Sequence, residues 1–400
     1  LPFDVQKAPV DADDVWGDVN FASIGNDGYG VDTSAINAIG HVLFAAKNPV
    51  IICGGGVINA GACEVLQELA EYCDLIVATT ISGKGSIACV HKNCLGVVGS
   101  NGGVTETREI VATADVVLFI GCRAGSVTTQ HWQVPARGQT ILHIDTDPAV
   151  IGAAYQTKAW AICDAKAALQ TLWHQARELP SPPAFGGAAI IERVKQRKQN
   201  LFMIHAKAQN TPIRPEAVIH ALQLAAPDDA IIVADPGTPC PYVSAYFDSK
   251  QAGRHIISNR VHGALGYALG AAMGAQFARP DARVVCLMGD GSFGFTVGEL
   301  ETVARYHLPI TMIVFSNAMF GWIKAGQHNG FAKRYFGVDF DRVNHAKVAQ
   351  AYGIAAETIE TPEMLEKQIK AAIARQEPVL LDIIAQPLHM ANAPVSTWVA

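Results

Sequence analysis

Short runs of apolar and β-branched residues alternate along the chain with segments whose apolar residues recur at the spacing of a helix face. In the first half, the runs 48–56, 115–121 and 139–147 predict buried strands, and the segments 60–73 and 165–176 predict helices. Strands that alternate with helices in this way predict a parallel sheet covered by helices on both faces.

The second half of the chain repeats this alternation without a fixed-period sequence repeat. The predicted strands and helices are, in order, 230–235, 263–278 (helix), 283–290, 296–306 (helix), 309–317 and 378–385. The two halves are therefore expected to share one architecture.

A proline- and glycine-rich segment separates the two halves. "ELPSPPAFGG" (178–187) holds three prolines and two glycines, which disfavour both helix and strand. We predict an α/β protein of two doubly wound parallel-sheet domains, residues 1–177 and 191–400, joined by a linker at 178–190.

One acid and one amide are spaced as a strand-helix-strand unit would require. Asp290 ends a predicted strand inside "GDG", and 25 residues separate Gly291 from Asn317, which ends the next predicted strand. A parallel crossover needs a dozen or more residues, so both side chains are expected at the carboxyl edge of one sheet. A carboxylate and an amide oxygen suit Mg²⁺ or Ca²⁺, and the flanking glycines let backbone N–H groups approach phosphates.

Composition narrows the function classes. Half of the 400 residues are apolar and only 16% are charged, which favours extensive buried surface, including subunit contacts. A net charge of −6 argues against nucleic acid as a partner, and no run approaches the ~18 apolar residues of a membrane span. The nine cysteines include no C-x-x-C pair, which predicts buried free thiols in a reducing, cytoplasmic setting rather than a zinc site.

The segment from Gly289 to Asn317 resembles the G-D-G…N signature of thiamine-diphosphate enzymes, which hold the cofactor's diphosphate through a divalent metal such as Mg²⁺. The resemblance implies that Asp290, Asn317 and the main chain of Met319 are metal ligands. A neighbouring Asn is common in the family, whereas this chain has Ser316. The further cofactor contacts that it implies are Gly289, Gly291, Ser292, Phe293 and Phe320.

A second stretch, 262–285, resembles acetolactate synthases and their decarboxylase relatives. The resemblance implies that Leu265 is the apolar wedge between the two cofactor rings and that the Gly263 main chain accepts a hydrogen bond from the aminopyrimidine. An ordinary core leucine is the alternative for Leu265. Thr238, in "ADPGTPCPY", matches a region that touches the diphosphate, although a plain Ser/Thr turn fits nearly as well.

The implied catalytic pocket differs from that of the synthases. The synthases carry a Trp nine residues after the metal-binding Asn, where this chain has Gly326; Trp322 and Lys324 lie nearby instead. Trp322 is therefore a candidate pocket residue. His262 is a candidate proton relay, with a structural histidine near a subunit interface as the alternative.

The resemblance covers only the second and third of the family's usual three domains. The first, pyrimidine-binding domain carries the catalytic Glu, and neither Glu299 nor Glu301 matches it. "LPFDVQKAP" (1–9) resembles the end of that domain, and Leu1 is an unusual natural start. These features predict a separate chain that carries the Glu, in a dimer or tetramer of chain pairs.

The first half of the chain resembles a domain that binds FAD in acetolactate synthases and ADP in oxalyl-CoA decarboxylases. Arg123 and Asp145 are the candidate nucleotide residues, and FAD, ADP and an empty site all remain open. The implied activity is decarboxylation of a 2-oxo acid followed by carboligation or aldehyde release. The alternatives are an oxalyl-CoA-decarboxylase-like or other carbon–carbon lyase activity, and a non-catalytic regulatory or nucleotide-binding subunit.

Overall fold

The computed structural model describes residues 3–11, 30–260, 262–391 and 393–396. Leu1 lies outside these ranges, and the segment after it forms a short helix, α1. The described strands are β1 Pro49–Cys53, β2 Ile76–Thr79, β3 Cys94–Val97, β4 Val116–Ile120, β5 Thr140–Asp145, β6 Ala159–Ile162, β7 Ile231–Ala234, β8 Ile256–Ser258, β9 Val284–Gly289, β10 Thr311–Ser316, β11 Ala355–Ile359 and β12 Val379–Ile384.

The described helices interleave with these strands. They are α1 Phe3–Lys7, α2 Thr33–Phe44, α3 Gly55–Asn59, α4 Cys63–Cys73, α5 Thr105–Thr113, α6 Ala165–Glu178, α7 Gly187–Ala206, α8 Pro215–Ala225, α9 Pro239–Tyr246, α10 Tyr267–Ala278, α11 Asp290–Thr296, α12 Leu300–Arg305, α13 Gly321–Gly330, α14 His345–Ala351 and α15 Pro362–Ala374. Among the described residues, no helix combines the length and the apolar character needed to cross a bilayer.

Two six-stranded parallel sheets confirm the predicted α/β class. The first sheet has the order β3-β2-β1-β4-β5-β6, and its central strands β1 and β4 are buried along their whole length. The chain winds outward from β1 to β3 and then returns to β4 on the other side, so the direction of winding reverses between β1 and β4. Ligands bind at such a reversal in open α/β sheets.

The second sheet has the order β11-β12-β10-β9-β7-β8. Here the chain runs from β7 outward to β8 and then crosses back to β9 on the opposite side of β7. The reversal therefore lies between β7 and β9, and the residues that follow these two strands face one crevice. The predicted strand 283–290 is the observed β9 to within one residue at each end.

The predicted helices are confirmed, but three of them begin later than predicted, the helix at 60–73 by three residues. The helix predicted at 263–278 begins at Tyr267, because Gly263 and Gly266 take left-handed backbone conformations (φ +66° and +82°) that make a turn before α10. The helix predicted at 296–306 is preceded by another, α11, that Asp290 itself begins. The last two differences place additional backbone at the crevice.

Helix α7 contacts both halves of the molecule. Ile191 and Val194 pack into the core of the first sheet, whereas Phe202 and Ala206 pack into that of the second. This helix is therefore shared between the two cores. The domain limits at 177 and 191 stay a prediction.

Two lysines bind the last turn of α9, one from the first half and one from the shared helix α7. The buried Lys84 donates from Nζ to the carbonyl of Ser244 at 2.8 Å, and Lys198 donates to that of Ala245 at 3.0 Å. Both carbonyls lie in the last turn of α9, where cations are favoured by the helix dipole. The first half is thereby held beside the crevice of the second.

Candidate cofactor site

A cavity of about 320 Å³ opens at the winding reversal of the second sheet. Its walls come from the turn after β7, the turn before α10, the start of α11, the loop after β10, and two segments of the first half. The lining residues are Ser100, Asn101, Val127, Pro236, Gly237, Thr238, Arg260, His262, Gly263, Leu265, Gly289, Asp290, Gly291, Ser292, Met319, Phe320, Gly321, Trp322 and Ile323. Most of the residues predicted from the sequence are therefore brought together here.

Asp290 is a buried carboxylate at the end of β9. The residue is 4% exposed, and its carboxylate accepts hydrogen bonds from the backbone N–H groups of Asn317 at 2.7 Å and Ala318 at 2.6 Å. Burial raises the pKa of the Asp290 carboxyl, and the backbone donors with the nearby His345 offset that rise only in part. No side-chain cation neutralises it among its described partners, so a bound metal ion would stabilise the charge.

Asn317 lies beside Asp290 with an unsatisfied side chain. Both its Oδ1 and Nδ2 are buried without a hydrogen-bond partner. A buried amide left unpaired costs about 1–3 kcal/mol, so such a group indicates a ligand position. The next residue, Ala318, takes a left-handed conformation (φ +57°) and turns the chain so that Met319 faces the cavity.

The donor set that the sequence predicts is one carboxylate, one amide and a main-chain carbonyl. Over the described ranges, no group of three or more His, Cys, Asp or Glu side chains is placed to hold a metal. A site of this composition leaves most ligand positions of Mg²⁺ to phosphate oxygens and water, which is how proteins usually hold that ion. The residues therefore fit a metal bound together with a diphosphate.

Two of the glycines around the cavity border open space, and a third permits close packing. A Cβ added to Gly289 or Gly263 would meet no atom within 4 Å. At Gly291 an added Cβ would lie 2.7 Å from the Phe320 ring, so a side chain here would displace that ring. Thr238 is buried in the first turn of α9 without a capping hydrogen bond from its side chain, which leaves its hydroxyl available to the cavity.

Leu265, Trp322 and His262 also line this cavity. Leu265 lies in the turn before α10 rather than in the helix core, and it is half-buried. Trp322 packs on the core of the second half, and His262 is exposed at the cavity mouth. These positions suit an apolar wall and a polar rim, and the individual roles stay predictions.

Phe293 does not line the cavity. Its ring is buried in the core and stands edge-on to His345, with ring centroids 5.4 Å apart, because the first turn of α11 directs it inward. Its neighbour Ser292 is buried and interacts with Asp235. The Phe293 side chain therefore lies away from the cavity in which the cofactor is predicted to bind.

A buried polar network lies behind the loop of Asn317. The Ser316 hydroxyl donates to Asp382 Oδ1 and lies 2.9 Å from His345 Nδ1, and the His345 backbone N–H donates to Asp382 at 3.0 Å. Burial raises the pKa of Asp382, but the hydrogen bonds from His345 and Ser316 outweigh it and bring the pKa below its ordinary value. The family's usual Asn is thus replaced by a serine with partners of its own.

Asp235 is a site residue that sequence reasoning missed. It follows β7, is fully buried, and accepts hydrogen bonds from the backbone N–H groups of Gly266, Tyr267 and Ala268 at 3.1–3.2 Å. Burial raises the pKa of Asp235 to about 6. By capping α10 it fixes the turn that presents Leu265. The sequence carries a signal for it, since Asp235 is an acid at the carboxyl end of a predicted strand, 230–235.

The first sheet has its own crevice, of about 560 Å³, at the reversal between β1 and β4. Arg123 lines it together with the glycines that follow β1. Asp145 ends β5 and accepts a hydrogen bond from the Asp147 backbone N–H at 3.0 Å, and it is not among the lining residues. The structure therefore brings only Arg123, of the two predicted nucleotide residues, into this crevice.

Comparison with protein families identifies both halves. Residues 36–172 match the thiamine pyrophosphate enzyme central domain, and residues 235–383 match the thiamine pyrophosphate enzyme C-terminal TPP binding domain. The chain belongs to the thiamine pyrophosphate enzymes through these two domains. The second match spans the cavity from Asp235 past Asn317.

Curated relatives narrow the family. The chain is 32% identical over 358 residues to a "Probable acetolactate synthase large subunit" of Methanococcus aeolicus, with 86% of the chain and 59% of the relative covered. It is 29% identical to the "Acetolactate synthase isozyme 3 large subunit" of Escherichia coli, covering 83% and 58%, and 29% identical to the Lactococcus lactis "Acetolactate synthase large subunit", covering 86% and 58%. The chain thus spans less than two thirds of the relatives it matches.

Proposed function

We propose that this chain provides the diphosphate- and metal-binding part of a thiamine-diphosphate enzyme that decarboxylates a 2-oxo acid and joins the remaining fragment to a second carbonyl, as an acetolactate synthase would. The observation that carries the proposal is the buried Asp290 carboxylate at the winding reversal of the second sheet, which accepts a hydrogen bond from the Asn317 backbone N–H, next to the Asn317 side-chain amide, which is buried without a partner. The similarity to acetolactate synthase large subunits supports the reaction class.

The residues present divide into metal and diphosphate ligands. Asp290, Asn317 and the main-chain carbonyl of Met319 would hold Mg²⁺, while the backbone around Gly289, Gly291 and Ser292 and the Thr238 hydroxyl would hold the diphosphate. Backbone N–H groups at a helix start suit phosphate oxygens. When bound, thiamine diphosphate supplies the carbon nucleophile and the electron sink for decarboxylation.

The chain's own side chains then shape the reaction space. Leu265 would keep the two cofactor rings bent towards each other, and the Gly263 main chain would orient the aminopyrimidine. Trp322 and Phe320 place apolar surface at the cavity and exclude water from it. A drier site favours loss of a carboxylate as uncharged CO₂.

Activity should also require a second polypeptide region. Among the described residues that line the cavity there is no glutamate, and the exposed Glu299 and Glu301 contact Thr302 and Arg305 instead. We propose that a pyrimidine-binding domain supplies the catalytic Glu in an assembly of chain pairs. The large-subunit names of the relatives agree with an assembly of more than one kind of chain.

The crevice of the first half is a second candidate ligand site. Its position at the reversal between β1 and β4, and the cationic Arg123 in its wall, favour a nucleotide such as FAD or ADP. A flavin spectrum of the purified protein, or saturable binding of ADP that Arg123→Met weakens, would support this assignment. A protein that carries no flavin and binds neither nucleotide would contradict it.

The experiment that tests the main proposal is an assay of CO₂ release over a panel of 2-oxo acids. The chain is combined with a pyrimidine-binding domain, thiamine diphosphate and Mg²⁺, with and without a second 2-oxo acid or an aldehyde as acceptor. We expect CO₂ release that needs every component, and a carboligation product. Aldehyde as the sole product would instead indicate a decarboxylase. Tight cofactor binding without CO₂ release from any acid would identify a non-catalytic subunit.

A further inference from the structure

Two cysteines lie side by side where the first half of the molecule contacts the second. Cys94 begins β3, Cys89 lies in the turn before it, and their side chains interact directly. Two successive turns bring them together: the His91 N–H donates to the Ala88 carbonyl at 2.9 Å, and the Cys94 N–H donates to the His91 carbonyl at 3.1 Å. Both are free thiols in the structure. The loop 90–93 thus places two reduced sulfurs next to each other.

A lysine holds this turn close beneath the protein surface. Lys195 of α7 donates from Nζ to the carbonyls of Cys89 at 3.0 Å and His91 at 2.7 Å. Cys89 and Cys94 are only 5% and 2% exposed, but Val90 between them is 57% exposed. A small solute can therefore reach the sulfurs through a local opening of the turn.

The surroundings of Cys89 favour its thiolate. The hydrogen bond with the Cys94 side chain lowers the pKa of the Cys89 thiol most, and the Lys84 ammonium and the Ser249 hydroxyl add to this effect, so that burial is outweighed. The Ser249 hydroxyl donates to Cys89 Sγ at 3.3 Å. The same hydrogen bond, together with burial, raises the pKa of the Cys94 thiol. One sulfur is therefore a nucleophile, and its neighbour keeps its proton.

The other cysteines show that burial alone does not produce this arrangement. Burial raises the pKa of six further thiols, those of Cys53, Cys63, Cys73, Cys122, Cys163 and Cys286. Cys63 is the least buried of the nine cysteines, and its pKa is nevertheless raised. Exposure and thiolate character are thus separated between Cys63 and Cys89, which makes Cys63 the matched control.

We propose that Cys89 is a peroxide-reactive thiol that forms a reversible disulfide with Cys94. The Cys89 sulfur attacks one oxygen of a hydroperoxide, an S–O bond forms as the O–O bond breaks, and the departing oxygen takes up a proton. Cys94 then attacks the resulting sulfenic sulfur, the S–S bond forms as the S–O bond breaks, and hydroxide leaves with the Cys94 proton as water. The two thiols lose two electrons and two protons, which the hydroperoxide accepts.

The first step prepares the second one. The negative charge of Cys89 contributes to the raised pKa of the Cys94 thiol. A sulfenic acid is uncharged, so this contribution disappears once Cys89 is oxidised. The cations Lys84 and Lys195, which lower the pKa of Cys94, continue to act on it. Cys94 therefore becomes a better nucleophile when its partner sulfur becomes an electrophile.

The disulfide should loosen the contact between the two halves. The Cys89 N–H donates to the Ser249 carbonyl at 3.0 Å, and the Ser249 hydroxyl donates to the Cys89 sulfur. A disulfide sulfur carries no charge and accepts weakly, so Ser249 and the buried Lys84 lose an anionic neighbour. Ser249 follows α9, which begins beside Thr238 of the cofactor cavity. We expect faster hydrogen exchange in the segment 247–255 of the oxidised protein.

The test maps the thiols of the full chain after mild oxidation. The protein is treated with a small excess of hydrogen peroxide, blocked with iodoacetamide and digested without reductant for mass spectrometry. Trypsin cuts after Lys92, so the disulfide joins two peptides that dithiothreitol separates again. Cys89 should be oxidised at least ~10-fold faster than the more exposed Cys63, the factor given by one pKa unit in thiolate fraction.

Three variants separate the steps. Cys94→Ser keeps a hydroxyl beside Cys89 and should stop at the sulfenic acid, which dimedone traps. Cys89→Ser should give neither the sulfenic acid nor the disulfide, and Cys63→Ser should leave the disulfide yield unchanged. Hydrogen exchange of segment 247–255 should rise after peroxide treatment of the wild type and stay constant in Cys89→Ser.

Three results would overturn the proposal. The absence of the cross-linked peptide from the wild type would exclude the disulfide, and oxidation of Cys63 at the rate of Cys89 or faster would exclude a specially reactive Cys89. A disulfide that leaves the exchange of segment 247–255 unchanged would refute its effect on the contact between the halves. Each measurement is made without thiamine diphosphate or substrate, so the proposed function stands or falls separately.

Discussion

The two sheets of this protein have the same design, yet their crevices are built differently. Each sheet reverses its winding once, between β1 and β4 in the first and between β7 and β9 in the second, and each has a cavity at that reversal. Topology alone therefore predicts two ligand positions. What distinguishes them is the chemistry of the residues that follow the strands.

Glycines serve opposite purposes at the two reversals. After β1, a Cβ on Gly54 would stand 2.0 Å from the Gly121 carbonyl oxygen, and one on Gly56 would stand 2.7 Å from the Gly121 Cα. These glycines let two backbone turns touch. After β9, a Cβ on Gly289 would meet nothing within 4 Å. Gly54 and Gly56 thus permit backbone packing in the first half, whereas Gly289 borders free space in the second.

Charge separates the two crevices as well. Asp290 lines the cavity at the second reversal and the buried Asp235 follows the neighbouring strand β7, whereas the described residues that line the first crevice include Arg123 and no acid; Arg260 lies in the walls of both. Acids held by backbone N–H groups can accept a cation. An acid-free crevice with arginine suits an anion. We infer from this comparison that the sheet topology sets where a ligand binds, and that the residues after the strands determine which kind of ligand it is.

The largest effect on cofactor affinity should come from removing Asp290, the acid in the second crevice that has no counterpart in the first. Asp290→Ala deletes the charged metal ligand, so thiamine diphosphate affinity in the presence of Mg²⁺ should fall at least ~100-fold, or ~2.8 kcal/mol. Titration calorimetry measures it. Asp145→Ala, which removes a strand-end acid of the first sheet, is the matched control and should change nothing. Equal cofactor affinity in both variants would refute the metal assignment.

The second effect concerns the buried acid that fixes the turn before α10. Because the pKa of Asp235 rises to about 6 in the fold, the folded state binds a proton that the unfolded state releases between pH 3.8 and about 6. Protonation of Asp235 therefore stabilises the fold fully below pH 3.8. This stabilisation, about 2–3 kcal/mol of the free energy of unfolding, is lost as the pH rises to about 6. Urea unfolding of wild type and Asp235→Asn over this pH range measures the difference.

Asp382 provides the control of opposite sign. The pKa of its carboxyl is lowered, so its contribution is present above pH 3.8 and lost as pH falls through the lowered value. The difference between wild type and Asp382→Asn should therefore grow as pH rises, while that for Asp235→Asn shrinks. Parallel curves for the two variants would contradict the contrast.

The third effect tests the two uses of glycine. Gly54→Ala forces a Cβ onto a backbone carbonyl and should lower the free energy of unfolding by about 2 kcal/mol. Gly289 has a backbone that alanine adopts freely (φ −81°, ψ 160°), so Gly289→Ala should leave stability within about 0.5 kcal/mol and weaken cofactor binding instead. Urea unfolding with and without cofactor separates the two. If Gly54→Ala unfolded with the free energy of the wild type, the proposed difference between Gly54 and Gly289 would be wrong.

The sequence predicted those features that depend on local pattern and chain direction. Strand ends near Gly289 and Ser316 followed from apolar runs, and the meeting of Asp290 with Asn317 followed from the parallel crossover. The helix that follows Leu265 is predicted to begin too early, because the apolar, alanine-rich run gives no sign that Gly263 and Gly266 turn the chain.

The remaining site residues depend on contacts between distant segments. Asn101 reaches the cavity because its loop pairs with residues 394–396, and no local pattern announces that pairing. The partners of Ser316, on α14 and β12, likewise lie far along the chain. Such residues become visible only when both sheets are packed, because their polarity is unremarkable in sequence and costly only when buried.

The smallest effect should come from Leu265, which we compare with a leucine of the packed core. Leu265 lines the cavity and Leu269, one helical turn later, is fully buried. If Leu265 bends the cofactor rings, Leu265→Ala should slow deuterium exchange at the thiazolium carbon at least ~10-fold in the assembled enzyme, about 1.4 kcal/mol. It should barely change stability, since the deleted atoms face the cavity. Leu269→Ala, the control, should cost about 2–5 kcal/mol of stability and leave the exchange rate per folded molecule unchanged. Exchange at the wild-type rate in Leu265→Ala would make Leu265 an ordinary packing residue, and the two leucines would then differ only in exposure.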